Sequence, residues 1–296
     1  MADAIIFGGN GQDGFYLNQW LNDQGLHVIS TSRKGEGIQC DVSSFSAVEE
    51  LVRTEKPTYI FHLAASSTTR HDTWSSQYST ITGGTWNVLE SVKLHSPESK
   101  VFITGSGLQF ENTGEPISET CKFEGSSPYS VARISSVYTA RYYQSLGLKV
   151  YIGYLFHHES ARRPLSHVSK KIAHEVALVC SGQQEQVTIG CLTVEKEWAF
   201  AGDIVEGIWT LVCQDEVFEA VIGTGEGFSI EDWINECFAF YGEPSRGRIL
   251  EESEFIPEYT RLISNPSTIQ SLGWRPKTGI KDLVAMFMES ETNPKI

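Results

Sequence analysis

At 296 residues the chain is long enough to bury a large core, and its 40% hydrophobic, 11% aromatic and 20% charged content is that of an ordinary globular protein, which excludes a disordered one. A formal net charge of −14 excludes the basic face that wholesale binding to nucleic acid or an acidic membrane requires, so an anionic ligand has to be held by local cations. Six scattered cysteines (Cys40, Cys121, Cys180, Cys191, Cys213 and Cys237), with no C-x-x-C pair and no His partner at metal spacing, predict reduced thiols and no metal site.

Met1-Ala2-Asp3 leads directly into the apolar strand Ala4-Ile5-Ile6-Phe7. No apolar run approaches the ~18 residues of a membrane span, so the expectation is a cytoplasmic chain without a signal peptide. The strand runs into Gly8-Gly9-Asn10-Gly11-Gln12-Asp13-Gly14 and then a helical pattern from Phe15 to Leu21. Glycines at 8, 11 and 14 permit a tight turn, close approach of backbone to a diphosphate and close packing of helix on strand, with the helix N-terminus facing the anion. The position between a strand and a helix is the context that makes this spacing a dinucleotide site.

The second strand, His27 to Thr31, ends in Ser32-Arg33-Lys34. An acidic residue there would bind a ribose 2′-hydroxyl. A small hydroxyl residue followed by cations suits a 2′-phosphate, which predicts NADP rather than NAD. Asp41-Val42, after the short strand Ile38 to Cys40, falls where such folds meet the adenine. A helix (46–54), a strand (58–63) ending in Ala64-Ala65, a helix (82–95) and a strand (100–104) follow. This β-α-β-α rhythm predicts a Rossmann-type, doubly wound parallel sheet, with ligands gathered at the carboxyl ends of its strands.

One strand end carries Ser106. Twenty-three residues on, Ser127-Pro128-Tyr129-Ser130-Val131-Ala132-Arg133 opens a long helical pattern that runs to about Gly147. Tyr129 and Arg133 are four residues apart and share a helix face. A phenol is a poor proton shuttle at neutral pH unless a fixed positive charge favours its phenolate, and the pair supplies that arrangement. Ser106 is placed to hydrogen-bond the same substrate oxygen.

After a sixth strand (149–155), short apolar stretches alternate with loops, with helices at about 169–181, 203–213 and 230–241. The predicted organisation is a dinucleotide-binding domain of residues 1–156 plus about 201–223, and a smaller, discontinuous substrate-binding region of about 157–200 and 224–296.

The glycine motif, Phe61-His62-Leu63-Ala64-Ala65, Ser106 and the Tyr-x-x-x-basic unit together resemble an extended short-chain dehydrogenase/reductase of the epimerase/dehydratase family. Several segments are similar in particular to the GDP-mannose 4,6-dehydratases: residues 11–17, Leu155-Phe156-His157-His158-Glu159-Ser160-Ala161-Arg162-Arg163, Thr224-Gly225-Glu226 and Leu272-Gly273-Trp274-Arg275-Pro276. The resemblance implies a nucleotide-linked sugar as substrate. It implies Ser106, Tyr129 and Arg133 as catalytic residues. Its cofactor set is Gly8, Gly11, Gln12, Asp13, Gly14, Ser32, Arg33, Asp41, Val42, Leu63, Ala64, Ala65, Tyr129, Arg133 and His158. For the substrate it points to the positions of His157 and Lys196, and Arg162, Arg163 and Lys170 are further local cations offered for an anionic sugar.

The chain also departs from the resemblance. The family's Lys is Arg133. Its Thr-x-Glu unit, whose Glu removes the C5 proton and helps to eliminate water, becomes Ser106 and Leu108, and a leucine cannot move a proton. Gln109 is no base, and Glu111 would need a register shift. The family's Asn before the His-Glu-Ser triplet is His157, the Asn of its Gly-Asn-Leu segment is Cys191, and its Arg before the Asp-Trp pair is Lys196. A diphosphate-binding Arg is replaced at about Phe255, with Arg261 as a substitute. The expectation is therefore an NADP-dependent ketoreductase or dehydrogenase acting at a sugar carbinol or ketone, at C4. The alternatives are a 4,6-dehydratase and a non-catalytic NADP-binding protein. The shortened loop 32–37 argues against the family's tetramer. A homodimer is expected instead, with Val131, Ile134, Val137, Tyr138, Tyr142 and Tyr143 offering a helix face.

Overall fold

The computed structural model describes residues 1–34, 37–65, 68–252 and 254–292; Gly35 and Glu36 of the 32–37 loop lie outside the described residues. The core is a seven-stranded sheet of β1 (Ala4–Phe7), β2 (Val28–Ser32), β3 (Ile38–Gln39), β4 (Tyr59–His62), β5 (Lys100–Ser106), β6 (Lys149–Leu155) and the strand Glu219–Ile222. The spatial order is Glu219–Ile222, β6, β5, β4, β1, β2, β3, with every neighbour parallel. Ile5, Ile6, Ile60, Phe61, Val101, Phe102, Val150 and Ile152 are fully buried. Strands covered on both faces read as continuous apolar runs because neither face meets water. The chain winds outward from β1 through β2 to β3 and then crosses back to β4 on the other side of β1. That reversal opens a crevice at the carboxyl ends of β1 and β4.

Helix α1 (Gln12–Asp23) starts at Gly11 with no side chain capping it, so its first N–H groups stay available. Helix α2 (Phe45–Glu55) packs on the helix Gly84–His95, with Val48 and Val52 buried in the same core cluster as Ile5 and Ile60. That latter helix begins earlier than expected: Trp74–Gln77 runs through a six-residue π-helical stretch, Tyr78–Gly83, directly into it. Ser and Thr dominate this segment, so hydrophobic spacing does not reveal it.

The helix Pro128–Ser145 has a sharply defined start. Ser127 Oγ accepts from the Ser130 N–H at 3.2 Å and Ser130 Oγ accepts from the Ser127 N–H at 2.9 Å, while Pro128 takes the first position, where an N–H would have no partner. Its apolar residues divide between two faces. Val137 and Tyr143, expected on an outer face, are buried; the helix turns Tyr143 toward Gly84–His95, where its hydroxyl donates to Glu90 at 2.6 Å and its ring meets Trp86, while Val131, Tyr138 and Tyr142 remain exposed.

After Leu155 the chain leaves the sheet, returns with the helix Ala201–Val212 and the strand Glu219–Ile222, and leaves again. The outlying helices Val168–Cys180, Ile230–Phe240 and Ile280–Thr292 enclose a separate apolar cluster in which Trp198 stacks on Trp233 at 4.3 Å. Two buried carboxylates tie this lobe to the sheet. Glu197 accepts from the backbone N–H groups of Thr224 (2.6 Å), Gly225 (3.2 Å) and Ser264 (2.6 Å), and Asp203 from those of Lys277 (2.9 Å) and Thr278 (2.7 Å). Trp274 Nε1 donates to the Asp203 carbonyl, so the Leu-Gly-Trp-Arg-Pro segment is an anchor of the fold. All six cysteines are unpaired. Among the described residues no helix is long and apolar enough to cross a membrane, and no cluster of His, Cys, Asp and Glu is arranged for a metal ion.

Candidate active site

A cavity of about 770 Å³ lies at the carboxyl ends of the strands, within the ~300–1,000 Å³ that suits a small-molecule site. Gly8, Gly11, Gln12, Asp13 and Gly14 form one wall, with Leu63 and Ala65 from the end of β4 beside them. The glycines are sterically required. A Cβ on Gly8, where φ is +97°, would lie 2.7 Å from the Ala64 nitrogen, and one on Gly14 would lie 2.3 Å from the Gly8 carbonyl oxygen. Ala64 thus packs the turn from behind. A bare backbone cradle beneath an uncapped helix N-terminus fits a dinucleotide's diphosphate.

The cradle is clipped to the segment after β6. His158 Nε2 meets Asp13 Oδ1 at 2.8 Å, Gln12 Nε2 donates to the His158 carbonyl at 3.3 Å, and Ser160 Oγ donates to Gln12 Oε1 at 2.8 Å. Burial disfavours charge on both partners, but each outweighs that penalty for the other: Asp13 is held well below the usual carboxylate range and His158 is raised. Gln12, Asp13 and His158 therefore hold α1 in place as well as line the cavity.

Ser32, Arg33, Asp41 and Val42 lie outside this cavity. Asn10 Nδ2 donates to Ser32 Oγ at 2.8 Å and to the Lys34 carbonyl at 2.9 Å, and Asp41 Oδ1 accepts from the Ser43 N–H and hydroxyl at 3.0 and 2.7 Å. Arg33 is exposed. Val42 is core: its side chain is buried and its carbonyl accepts from Asn87 Nδ2 at 2.9 Å.

Thr104, Gly105, Ser106, Tyr129 and Arg133 line the opposite side of the cavity. Arg133 Nε donates to the Tyr129 phenolic oxygen at 3.2 Å, its carbon lies 5.1 Å from the ring centroid, and Nη1 donates to the Thr104 carbonyl at 2.6 Å. The strand end thus aims the guanidinium. Ser106 Oγ accepts from the Leu108 N–H at 3.2 Å, and Gln109 Oε1 accepts from the Ser106 N–H at 2.8 Å, closing a one-turn cap around the serine. Leu108 faces the cavity and packs against the cluster of Tyr129, Ile81 and Ala132. Gln109 is buried within the cap, and Glu111 is exposed outside the cavity.

Beneath this group, His62 is buried, with Nε2 3.4 Å from the Ile81 carbonyl. Burial, reinforced by the Arg133 charge, pushes its pKa from 6.5 down to about 4. The unfolded chain therefore binds a proton that the folded chain refuses between those values. The stabilisation is complete above pH ~6.5 and is lost as pH falls through about 4, a difference on the order of 3 kcal/mol. Urea unfolding at pH 7 and pH 5 should show wild type losing more stability on acidification than His62→Asn; equal losses would remove His62 as the cause.

On the substrate side the cavity meets His157, Glu159, Arg163 and Lys196. Arg163 Nε lies 3.1 Å and Lys196 Nζ 3.4 Å from the buried Glu159 carboxylate, which also accepts from Ser169 Oγ at 2.8 Å. Burial alone would raise Glu159, but Lys196 and Arg163 bring it down to about 2, leaving the triad a net positive charge. His157 Nε2 pairs with the Tyr259 hydroxyl at 3.0 Å, and burial beside Lys196 holds its imidazole well below the ordinary range, hence neutral.

Two expected substrate residues are elsewhere. Arg162 is exposed with its guanidinium 3.8 Å from the Phe15 ring centroid, because Phe15 on α1 offers it a stacking partner outside the cavity. Lys170 bonds Glu291 at 2.6 Å and Ser290 Oγ at 2.8 Å, pinning the helix Val168–Cys180 to Ile280–Thr292. Arg261 is paired with Glu195 at 3.2 Å and does not line the cavity; the Phe255 ring covers Gly190. Sequence reasoning did not assign Glu159 or Tyr259. Glu159 had a signal, its place inside the His-His-Glu-Ser run, whereas Tyr259 sits in an irregular segment and carries none.

Fold and site together define an extended short-chain dehydrogenase/reductase of the epimerase/dehydratase type. Solved structures agree on the fold. A UDP-glucose 4-epimerase from Thermus thermophilus in complex with NAD has a TM-score of 0.82 at 20% identity, over 98% of this chain and 99% of its own. RMD from Pseudomonas aeruginosa, complexed with NADPH, has a TM-score of 0.86 at 17% identity, over 99% and 100%. The chain belongs to the GDP-mannose 4,6 dehydratase family, whose family model matches residues 31–287. One relative, GDP-mannose 4,6 dehydratase 2 of Arabidopsis thaliana, is 28% identical over 97% of this chain and 86% of its own.

Proposed function

We propose that this chain is an NADP-dependent oxidoreductase of a nucleotide-linked sugar, working at a carbinol or ketone, at C4. The observation that supports it best is the convergence of Ser106, Tyr129 and Arg133 on a cavity that the glycine cradle also lines, with Leu108 in the wall where the family carries its elimination carboxylate. A nicotinamide bound on the glycine cradle would supply or accept the hydride. Tyr129 transfers the proton of the substrate oxygen, Arg133 steadies the phenolic oxygen when that proton leaves, and Ser106 orients the substrate oxygen. Ser32 and the exposed Arg33 favour a 2′-phosphate, and the net positive Arg163–Glu159–Lys196 triad favours the diphosphate of the sugar. In this reading residues 1–156 and 201–223 serve the cofactor, and 157–200 with 224–296 the sugar. A homodimer through the exposed Val131, Tyr138 and Tyr142, with Trp86 on the adjoining helix, completes it.

The family match favours a second reading, 4,6-dehydration. Asp13 and Glu159 in the cavity are held by His158, Arg163 and Lys196, which leaves Glu258 as the cavity carboxylate with no ion pair among the described residues. The purified protein, incubated with GDP-, CDP- and UDP-sugars and their 4-keto derivatives, separates the readings. Net NADPH consumption on a keto-sugar is expected. A product lighter by one water, with no net cofactor change, would overturn the reductase reading.

A further inference from the structure

The side chains of the glycine turn leave it in two directions. Gln12 and Asp13 reach the segment after β6, whereas Asn10 reaches the end of β2, outside the cavity. Its Nδ2 donates to Ser32 Oγ at 2.8 Å and to the Lys34 carbonyl at 2.9 Å, and Ser32 Oγ donates to the same carbonyl at 2.8 Å. A carbonyl can only accept, so the Asn10 atom facing Lys34 is the amide nitrogen; the single hydroxyl hydrogen of Ser32 also goes to Lys34, so Ser32 accepts from Asn10. The result is a bend clamped on both sides of Arg33. Arg33 and Lys34 are exposed and form no ion pair among the described residues. The Asp41 carboxylate after β3 is engaged by Ser43 rather than by either cation.

We propose that Asn10 is the positioning residue for a 2′-phosphate, and that by holding the Ser32–Lys34 bend against the glycine turn it sets this chain's preference for NADP over NAD. This rests on the NADP reading given above. In a dinucleotide fold the adenosine ribose lies between the glycine turn and the end of the second strand, the gap that Asn10 spans. Ordering a loop around its ligand costs affinity, and the clamp has ordered the chain around Arg33 beforehand. The second lone pair of the Lys34 carbonyl matters too. When Ser32 turns its hydrogen to a phosphate oxygen, that carbonyl keeps its bond from Asn10 and is not left unpaired. The cradle itself does not depend on Asn10. The Gly8 and Gly9 N–H groups donate to the Thr31 carbonyl at 3.0 and 2.8 Å, and that of Gly11 to the Gly8 carbonyl at 3.0 Å. Asn10 therefore acts on the phosphate end of the site and leaves the diphosphate end alone.

The test is titration of NADPH and NADH into wild type, Asn10→Ala, Arg33→Gln and the double variant. Wild type should hold NADPH at least about tenfold tighter than NADH, the gain expected from one charge-assisted hydrogen bond. Asn10→Ala should cut that ratio roughly fivefold, the worth of one neutral hydrogen bond, while NADH affinity stays within a few fold of wild type and shows that the variant is folded. In the Arg33→Gln background the same substitution should change the ratio little, because a residue that acts through another then has nothing left to position. Equal losses for NADPH and NADH would make Asn10 a structural part of the turn, and an unchanged ratio would remove it from cofactor recognition. Additive effects of the two substitutions would mean that it acts independently of the bend. Each of these overturns the proposal. A wild type that holds NADH as tightly as NADPH would defeat the NADP reading and the proposal with it, an outcome set apart from the others because it needs no variant.

Discussion

Tyr129→Phe should lower turnover by about 10²–10⁴-fold, the usual contribution of a positioned acid–base group, and leave NADPH affinity within a few fold of wild type. The substitution keeps the ring, which packs with Ile81, Ala132 and Leu108, and removes only the oxygen on which Arg133 Nε donates at 3.2 Å. Arg133 retains its bond to the Thr104 carbonyl, so the guanidinium stays in place. Steady-state kinetics with fluorescence titration of NADPH checks both halves. Unchanged turnover would remove Tyr129 from the chemistry, and lost cofactor binding would make its role structural. A protein that only binds NADP would show neither loss.

Leu108→Glu should change the reaction rather than slow it. Leu108 lies in the cavity wall, its N–H donates to Ser106 Oγ at 3.2 Å, and its side chain touches the Tyr129 cluster. In the proposed reading, a carboxylate at that position would face the sugar carbon next to a C4 ketone and could take the proton whose loss permits elimination of a hydroxyl. With GDP-mannose and NADP the variant is expected to release a product lighter by one water, and wild type is not; mass spectrometry of the reaction decides. Placing a carboxylate against Ile81 and Ala132 should also cost roughly 1–3 kcal/mol of stability. A folded variant that yields no lighter product would show that Leu108 does not account for the difference in chemistry. A lighter product from wild type would mean that another carboxylate already performs the step.

The two substitutions probe the same turn from opposite sides. The cap of Ser106 and Gln109 fixes Leu108 relative to Tyr129, so a base introduced there shares the rigid frame that holds the phenol. Local rigidity of this kind is what lets a one-residue change alter the outcome of a reaction without rebuilding a site.

What was legible in the sequence is what short-range physics decides. Apolar runs marked β1 to β6 to within a residue or two at each end. The glycine spacing marked a turn that admits no Cβ, and Pro128 after Ser127 marked the helix start that sets Tyr129 one turn before Arg133. These are interactions within a few residues, and the sequence by itself determined them. The side-chain partnerships were decided only in three dimensions. Arg162 and Arg163 are adjacent in the chain and alike in charge, yet one stacks on Phe15 outside the cavity and the other pairs with Glu159 inside it. Lys170 was claimed by Glu291 from the far end of the chain, and Tyr259 reached His157 across 102 residues. A long cation takes whichever partner the packing of distant elements brings within reach. Its charge is written in the chain, but what that charge binds depends on which helices and loops the folded core sets beside it.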